Sequence, residues 1–131
     1  MANVLIIDDD LELAEDMAAF ISQNGHTVTT LDTTDAAVDR IAADRPDVLV
    51  LDVMFPDSPT AGFDLARKIR RSKRIRDLPI ILLTGINQDM PPLHFSGEDI
   101  DPDWMPVQDF MEKPFDGPQL LRKIAAILAK T

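Results

Sequence analysis

The sequence predicts an α/β protein in which five strands form a doubly wound parallel sheet. Short unbroken apolar runs (VLII, VLVL and IILL) are typical of strands that are buried on both faces. Stretches with apolar residues at helical spacing alternate with these runs, which is the pattern of a parallel sheet covered by helices. With 131 residues, 45% of them apolar, the chain is long enough for one domain, residues 1–131, with its own core.

The first half of the chain predicts three strands and two helices. Asn24 and Gly25 end the first helix, because both residue types suit the left-handed backbone that often follows a helix. Pro46 ends the second helix, because the residue before a proline disfavours helical geometry. The predicted elements are strand Val4–Ile7, helix Leu11–Asn24, strand His26–Thr30, helix Ala36–Ala43 and strand Val48–Leu51.

The second half predicts two more strands and two clear helices. Asp116 is a suitable cap for the last helix, and Pro118 fits its first turn. Between the fourth and fifth strands, the prolines and glycines of segment 85–106 predict a helix that is irregular or short. The predicted elements are helix Gly62–Arg71, strand Ile80–Leu83, strand Val107–Met111 and the helix that follows Asp116.

Composition and charge exclude several classes of function. The 13 basic and 23 acidic residues give a net charge of −10, which argues against direct binding of nucleic acid or an anionic membrane. No apolar run reaches the roughly 18 residues of a membrane span. The absence of cysteine excludes disulfides and thiolate metal sites. The amino terminus lacks a basic leader, so we expect a cytoplasmic protein.

The basic residues are concentrated in one stretch of the chain. Seven of the 13 lie within Arg67–Arg76. We interpret this run as a solvated helix end and loop, and the alternative is a docking patch for an acidic partner.

Polar side chains follow the buried strands at the points where these strands end. The first strand is followed by Asp8, Asp9 and Asp10, the third by Asp52, the fourth by Thr84 and the fifth by Lys113. Ligands of open parallel sheets bind at the carboxyl ends of the strands, so these groups should meet at one edge. Crowded carboxylates repel each other, and a site with oxygen ligands favours Mg²⁺. The lysine and the hydroxyl then suggest a bound phosphoryl group.

The motifs LIIDDD, LVLDVMFP, ILLTG and FMEKPF resemble, in order and spacing, those of response-regulator receiver domains of two-component signalling. The resemblance implies a flavodoxin-like sheet with strand order 2-1-3-4-5 and a phosphorelay function. The chain would be a phosphoacceptor that assists its own phosphorylation and dephosphorylation, and not an enzyme. Its partners would be a histidine kinase or phosphotransfer protein and a downstream protein.

The same resemblance assigns roles to individual residues. Asp52 would carry the aspartyl phosphate, and Lys113 would pair with the phosphoryl oxygens. Asp8, Asp9, Asp52 and the backbone carbonyl of Met54 would hold Mg²⁺, with Asp9 a direct ligand and Asp8 acting largely through water. Thr84 would bond the phosphoryl group and act as a switch together with Phe110.

Two departures from the family pattern bear on its partners. The loop after Asp52 is longer than usual, and segment 85–106 lacks the alanine-rich fourth helix that normally forms part of the output face. The usual partner surface is therefore not transferred to this chain.

Two alternative functions remain open. One is a phosphatase of the haloacid-dehalogenase type, which DDDLEL superficially resembles, although that class leaves Asp52 unexplained. The other is an interaction module that works without phosphorylation, which should have lost one of the site residues. The sequence is also compatible with either a free-standing regulator or a receiver from a longer protein.

Overall fold

A computed structural model of the chain describes residues 2–33, 37–52, 61–84, 109–112 and 116–129. Strands and helices alternate through most of this part of the chain, as the sequence predicts. The strands are β1 (Asn3–Ile7), β2 (Thr27–Leu31), β3 (Val48–Asp52), β4 (Ile80–Thr84) and β5 (Asp109–Glu112). The helices are α1 (Leu11–Gln23), α2 (Ala37–Asp44), α3 (Ala61–Arg71) and α4 (Gly117–Ala129).

The five strands form one parallel sheet in the order β2-β1-β3-β4-β5. The predicted fold class and strand order are therefore confirmed. In the register of the sheet, Ile7 lies beside Leu51, and Asp52 lies beside Leu83. The carboxyl ends of β1, β3 and β4 consequently meet at one edge.

Alternate residues of each central strand point to opposite faces of the sheet, and each face has its own core. On one face α2 and α3 pack against the sheet, with Ile41 and Ile69 beside Leu51 in one cluster of buried side chains. On the other face α1 and α4 pack against the sheet, with Met17 and Ile124 in a second cluster of buried side chains. β3 is buried along its whole length, as expected for a strand covered on both sides.

Helix ends follow the predicted signals. α1 begins after Asp10 and ends before Asn24, and Gly25 has a φ of 95°, in the left-handed region that suits glycine. Most predicted boundaries differ from the observed ones by one or two residues. The predicted irregular helix of segment 85–106 lies outside the described residues. Within the described part of the chain, no helix is long and apolar enough to cross a membrane.

Candidate functional site

The carboxyl edge of the sheet brings two acidic residues side by side. Asp52 is the last residue of β3, and Asp8 directly follows β1, the neighbouring strand. Both are completely buried. Two buried carboxylates on adjacent strand ends are unusual, because aspartate is rarely buried without a specific partner or role.

Backbone contacts fix the position of Asp8. Its N–H donates a 3.0 Å hydrogen bond to the carbonyl of Leu31, which extends the pairing of β1 with β2 by one residue. Its Oδ1 accepts a 2.9 Å hydrogen bond from the backbone N–H of Asp10. The carboxylate of Asp8 is thus oriented by the main chain that leads into α1.

Asp10 has a different task from its two neighbours. Its Oδ1 accepts a 3.1 Å hydrogen bond from the N–H of Leu13, so it caps the amino terminus of α1. The side chain of Asp10 is exposed to solvent. Of the three consecutive acids, only Asp8 and Asp9 therefore face the site.

Asp8, Asp9 and Asp52 together form a group that could hold a metal ion. Each offers one carboxylate oxygen, and these three oxygens lie within 4.8 Å of one another. Asp9 is partly accessible, so the group is open to solvent on that side. Mg²⁺ binds carboxylate oxygens at about 2.0–2.1 Å and keeps several waters, which suits three acids clustered at an accessible edge. The residues present fit such an ion.

The other predicted site residues are described only in part. The backbone of Thr84 ends β4 beside Glu112 of β5, so the fourth and fifth strands also end at this edge. Phe110 lies in β5, with its backbone opposite Leu82. The side chains of Thr84 and Phe110 lie outside what the structure describes, and so do Lys113 and Met54 entirely.

The sequence comparison decides the family. The family model described as "Response regulator receiver domain" matches residues 4–125. The chain belongs to this family. Receiver domains are the modules of two-component response regulators that receive the signal, so the resemblance seen in the four motifs is confirmed.

Curated relatives agree with this family. The response regulator MprA of Mycobacterium avium (strain 104) is 36% identical over 128 residues, which cover 98% of this chain and 51% of the relative. MprA of Mycobacterium tuberculosis (strain H37Rv) is also 36% identical, with the same coverage of both chains. The receiver thus spans about half the length of the curated relatives it matches.

Solved structures have the same fold. A protein of Chloroflexus aurantiacus described as a response regulator superposes with a TM-score of 0.80 at 26% identity, covering 98% of each chain. A two-component response regulator of Clostridium difficile gives a TM-score of 0.77 at 24% identity, covering 98% of this receiver and 97% of the other chain. The second likeness shows the fold alone.

Sequence reasoning located the acidic cluster but did not foresee how deeply it is set. The full burial of Asp8 and its bond to the Asp10 N–H depend on how the chain turns after β1. The acidic cluster could be predicted from the run of three acids directly after a buried strand. Where such a run leads into a helix, one acid commonly caps the helix and the neighbouring acids can take another role.

Proposed function

We propose that this receiver accepts a phosphoryl group on Asp52 and passes the signal on through a change of conformation. The observation that carries the proposal is the burial of Asp52 at the end of β3, within 4.8 Å of the carboxylates of Asp8 and Asp9. A nucleophilic carboxylate needs nearby positive charge when phosphoryl transfer begins, and an acidic cluster that binds a cation supplies it.

In this proposal Asp8, Asp9, Asp52 and the backbone carbonyl of Met54 hold Mg²⁺. The bound ion would supply positive charge that offsets the charge of the phosphoryl oxygens. The protein side of the site contributes orientation: β1 and β3 set the spacing of two carboxylates, and the Asp10 N–H holds one oxygen of Asp8. Asp9 is the ligand with access to solvent.

The reaction itself uses groups of this chain. A carboxylate oxygen of Asp52 attacks phosphorus while the bond from phosphorus to the donor imidazole nitrogen breaks, and that nitrogen keeps the electron pair and takes up a proton. Lys113 would pair with the phosphoryl oxygens, and the Thr84 hydroxyl would donate a hydrogen bond to one of them. Thr84 and Phe110 would then shift together as the switch.

The donor in this proposal is a histidine kinase or a phosphotransfer protein, and the recipient of the signal is a downstream protein. Residues 1–131 would act as one domain in the cytoplasm, as a phosphoacceptor that also assists its own dephosphorylation. The family match supports this role over the haloacid-dehalogenase alternative. An interaction module that works without phosphorylation is the second candidate, and phosphorylation itself separates the two.

The test is incubation with acetyl phosphate and Mg²⁺, followed by intact-mass analysis. We expect the wild type to gain the mass of one phosphoryl group and Asp52→Asn to gain none. Excess EDTA should abolish the gain. Asp10→Asn is the matched control, because it removes an adjacent charge while asparagine keeps the helix cap.

Two results would overturn the proposal. Modification of Asp52→Asn at the wild-type rate would show that another residue accepts the phosphoryl group. Absence of any mass gain in a folded wild type, with both acetyl phosphate and a phosphorylated histidine kinase as donors, would favour the interaction module.

A further inference from the structure

A second recess lies at the opposite edge of the sheet from Asp52. This cavity, of about 300 Å³, opens between the turn after α2 and the loop that joins α3 to β4. We refer to it as the basic pocket. β3 runs from this edge to Asp52, so roughly 13 Å of strand separates the two sites, at about 3.3 Å per residue.

The rim of the basic pocket carries positive charge. Arg45, Lys73, Arg74 and Arg76 all line it, and all four side chains are exposed. Two carboxylates also line the recess, which leaves a formal surplus of two positive charges in a chain with a net charge of −10. The floor of the pocket is apolar, because the buried side chains of Ile75 and Leu78 line it.

The loop that carries three of these cations is tied firmly to the domain. Ile75 and Leu78 anchor it in the core, with 8% and 7% of their surface exposed. The guanidinium of Arg70 donates hydrogen bonds of 2.8 and 2.7 Å to the carbonyls of Arg76 and Leu78. A loop held at these points presents its charged side chains from a preorganised backbone, which lowers the entropy cost of binding.

Arg45 adds an independent observation at this recess, because its backbone is strained. It follows α2 with a φ of 46°, and its N–H donates a 2.8 Å hydrogen bond to the carbonyl of Ile41. This is the left-handed position after a helix, where glycine is the residue of lowest strain. An arginine here accepts backbone strain that glycine would avoid, and its side chain lines the pocket.

We propose that the basic pocket docks a short acidic segment of a partner protein, with one apolar side chain of that segment seated on the floor. Charge complementarity selects the acidic flanks, and the volume suits one or two apolar side chains. The segment binds away from Asp52, so docking does not require phosphorylation. The pocket holds the partner in both the phosphorylated and the unphosphorylated receiver.

The composition of the pocket favours an acidic protein segment over nucleic acid. Two carboxylates, Asp47 and Asp77, stand among the cations, so the rim suits a segment with few negative charges better than a continuous run of phosphates. The described residues that line the recess include no aromatic ring on which a base could stack. A long polyanion would also extend over the negatively charged remainder of the molecule, whereas a short segment stays at the rim.

The test uses a fluorescein-labelled peptide with two leucines flanked on each side by three glutamates, and measures fluorescence anisotropy at low and high salt. We expect the double variant Arg74→Gln/Arg76→Gln to weaken binding about tenfold, since each exposed ion pair contributes up to roughly a fivefold factor. Lys68→Gln/Arg71→Gln is the matched control. It removes the same charge from exposed residues outside the pocket lining, and should leave most of the affinity.

Two further measurements test the apolar floor and Arg45. A peptide with serines in place of the leucines should bind more weakly than the original. Arg45→Gly should weaken binding about threefold, while its melting temperature stays equal to or above that of the wild type. Loss of affinity together with a fall in melting temperature would assign Arg45 a structural role only.

Three outcomes would overturn the proposal. The first is the absence of salt-sensitive peptide binding to the wild type. The second is an equal loss in the pocket and control variants, which would indicate a general field effect. The third is tighter binding of a labelled single-stranded oligonucleotide through the same arginines, which would make the surface a nucleic-acid site. Asp52→Asn should bind the peptide as the wild type does.

Discussion

The Oδ1 atom of Asp8 accepts a 2.9 Å hydrogen bond from the backbone N–H of Asp10, two residues further along the chain. Asp10 in turn caps α1 through the N–H of Leu13. The amino terminus of α1 is therefore linked directly to a buried carboxylate of the acidic cluster. Asp9, between them, takes no part in either bond and is partly accessible.

This arrangement predicts that Asp9 contributes more to Mg²⁺ binding than Asp8. Mg²⁺ should raise the melting temperature of the wild type, because an ion that binds only the folded state stabilises it, by about 2.7 kcal/mol at a concentration of 100 Kd. Asp9→Asn should reduce this increase more than Asp8→Asn. Thermal unfolding across a Mg²⁺ titration measures both, with Asp10→Asn as the control. Equal or reversed effects would contradict the assignment of Asp9 as the direct ligand.

Because three carboxylates are crowded together, removing one of their charges should stabilise the metal-free protein. In EDTA, Asp52→Asn should raise the free energy of unfolding by about 1–3 kcal/mol, because two like charges a few Å apart repel even at an effective dielectric near 20. Urea unfolding of the two proteins measures the difference. Asp16→Asn, an exposed change in the middle of α1, should have almost no effect. If Asp52→Asn is no more stable than the wild type in EDTA, the repulsion is already offset within the protein.

The cap of α1 predicts a loss of stability that does not depend on the metal. Asp10→Ala should lower the free energy of unfolding by about 1 kcal/mol, because it removes the acceptor for the Leu13 N–H. Asp10→Ser should keep most of the stability, since serine is also a good cap. Urea denaturation in EDTA gives both values. A loss of the same size in the serine variant would mean that charge, and not capping, is the main contribution.

The close approach of α4 to α1 predicts that Gly117→Ala has opposite effects on stability in the wild type and in a Phe20→Ala variant. A Cβ atom at Gly117 would lie 2.6 Å from Cε1 of the Phe20 ring, which is closer than atoms can approach. Gly117→Ala should therefore destabilise the protein, by up to about 1 kcal/mol, because the ring of the half-buried Phe20 has to move aside. In a Phe20→Ala background the same change should stabilise it, by up to about 1 kcal/mol, because alanine is the better helix former. Additive effects would show that the two helices do not meet at these residues.

The half-buried guanidinium of Arg70 holds the loop before β4, and we predict that the stability of this loop depends on it. Arg70→Met should cost about 1.5–3 kcal/mol, because two carbonyls lose a charged donor. Arg67→Met is the control, since Arg67 makes only a 3.4 Å exposed pair with Asp64 and should cost less than about 1 kcal/mol. Urea unfolding compares the two. Similar losses would contradict a special role for Arg70.

Burial lowers the pKa of Arg70, and the carboxylate of Asp77 opposes that shift. A base whose pKa is lower in the folded state costs stability while it is charged, and that cost is relieved only as pH rises into the strongly alkaline range. The loss in Arg70→Met should therefore be the same at any pH in the neutral range. A marked dependence there would point to another titrating group.

Local patterns predict most elements and the acidic cluster at the edge of the sheet. The runs VLII, VLVL and IILL predict three buried strands, because a short unbroken apolar run is typical of a strand that is covered on both faces. Asp8, Asp9 and Asp52 followed from the rule that ligands bind at the carboxyl ends of parallel strands. The cap formed by Asp10 was also foreseeable, since an acid directly before a helical pattern commonly takes that position.

Other relationships could not be derived from local patterns. The predicted fifth strand ends at Met111, whereas β5 continues to Glu112, because a short strand at the edge has little periodicity to define its ends. The predicted start at Val107 lies outside the described residues. The basic run was apparent at Arg67–Arg76, but its partner Arg45 comes from another loop. The sequence contained one indication of this position, because an arginine follows the second helix at a place where glycine is the more common residue.

Local sequence patterns specify the class of the fold, the order of its elements and the residue types at each strand end, because these depend on interactions between near neighbours along the chain. Which of these groups meet depends on how the whole chain folds. Asp8 and Asp52 are 44 residues apart and come together through the pairing of β1 with β3. Gly117 lies against the Phe20 ring, and Arg45 lines one recess together with the loop before β4. Such contacts depend on the register and packing of whole elements, which no local pattern specifies.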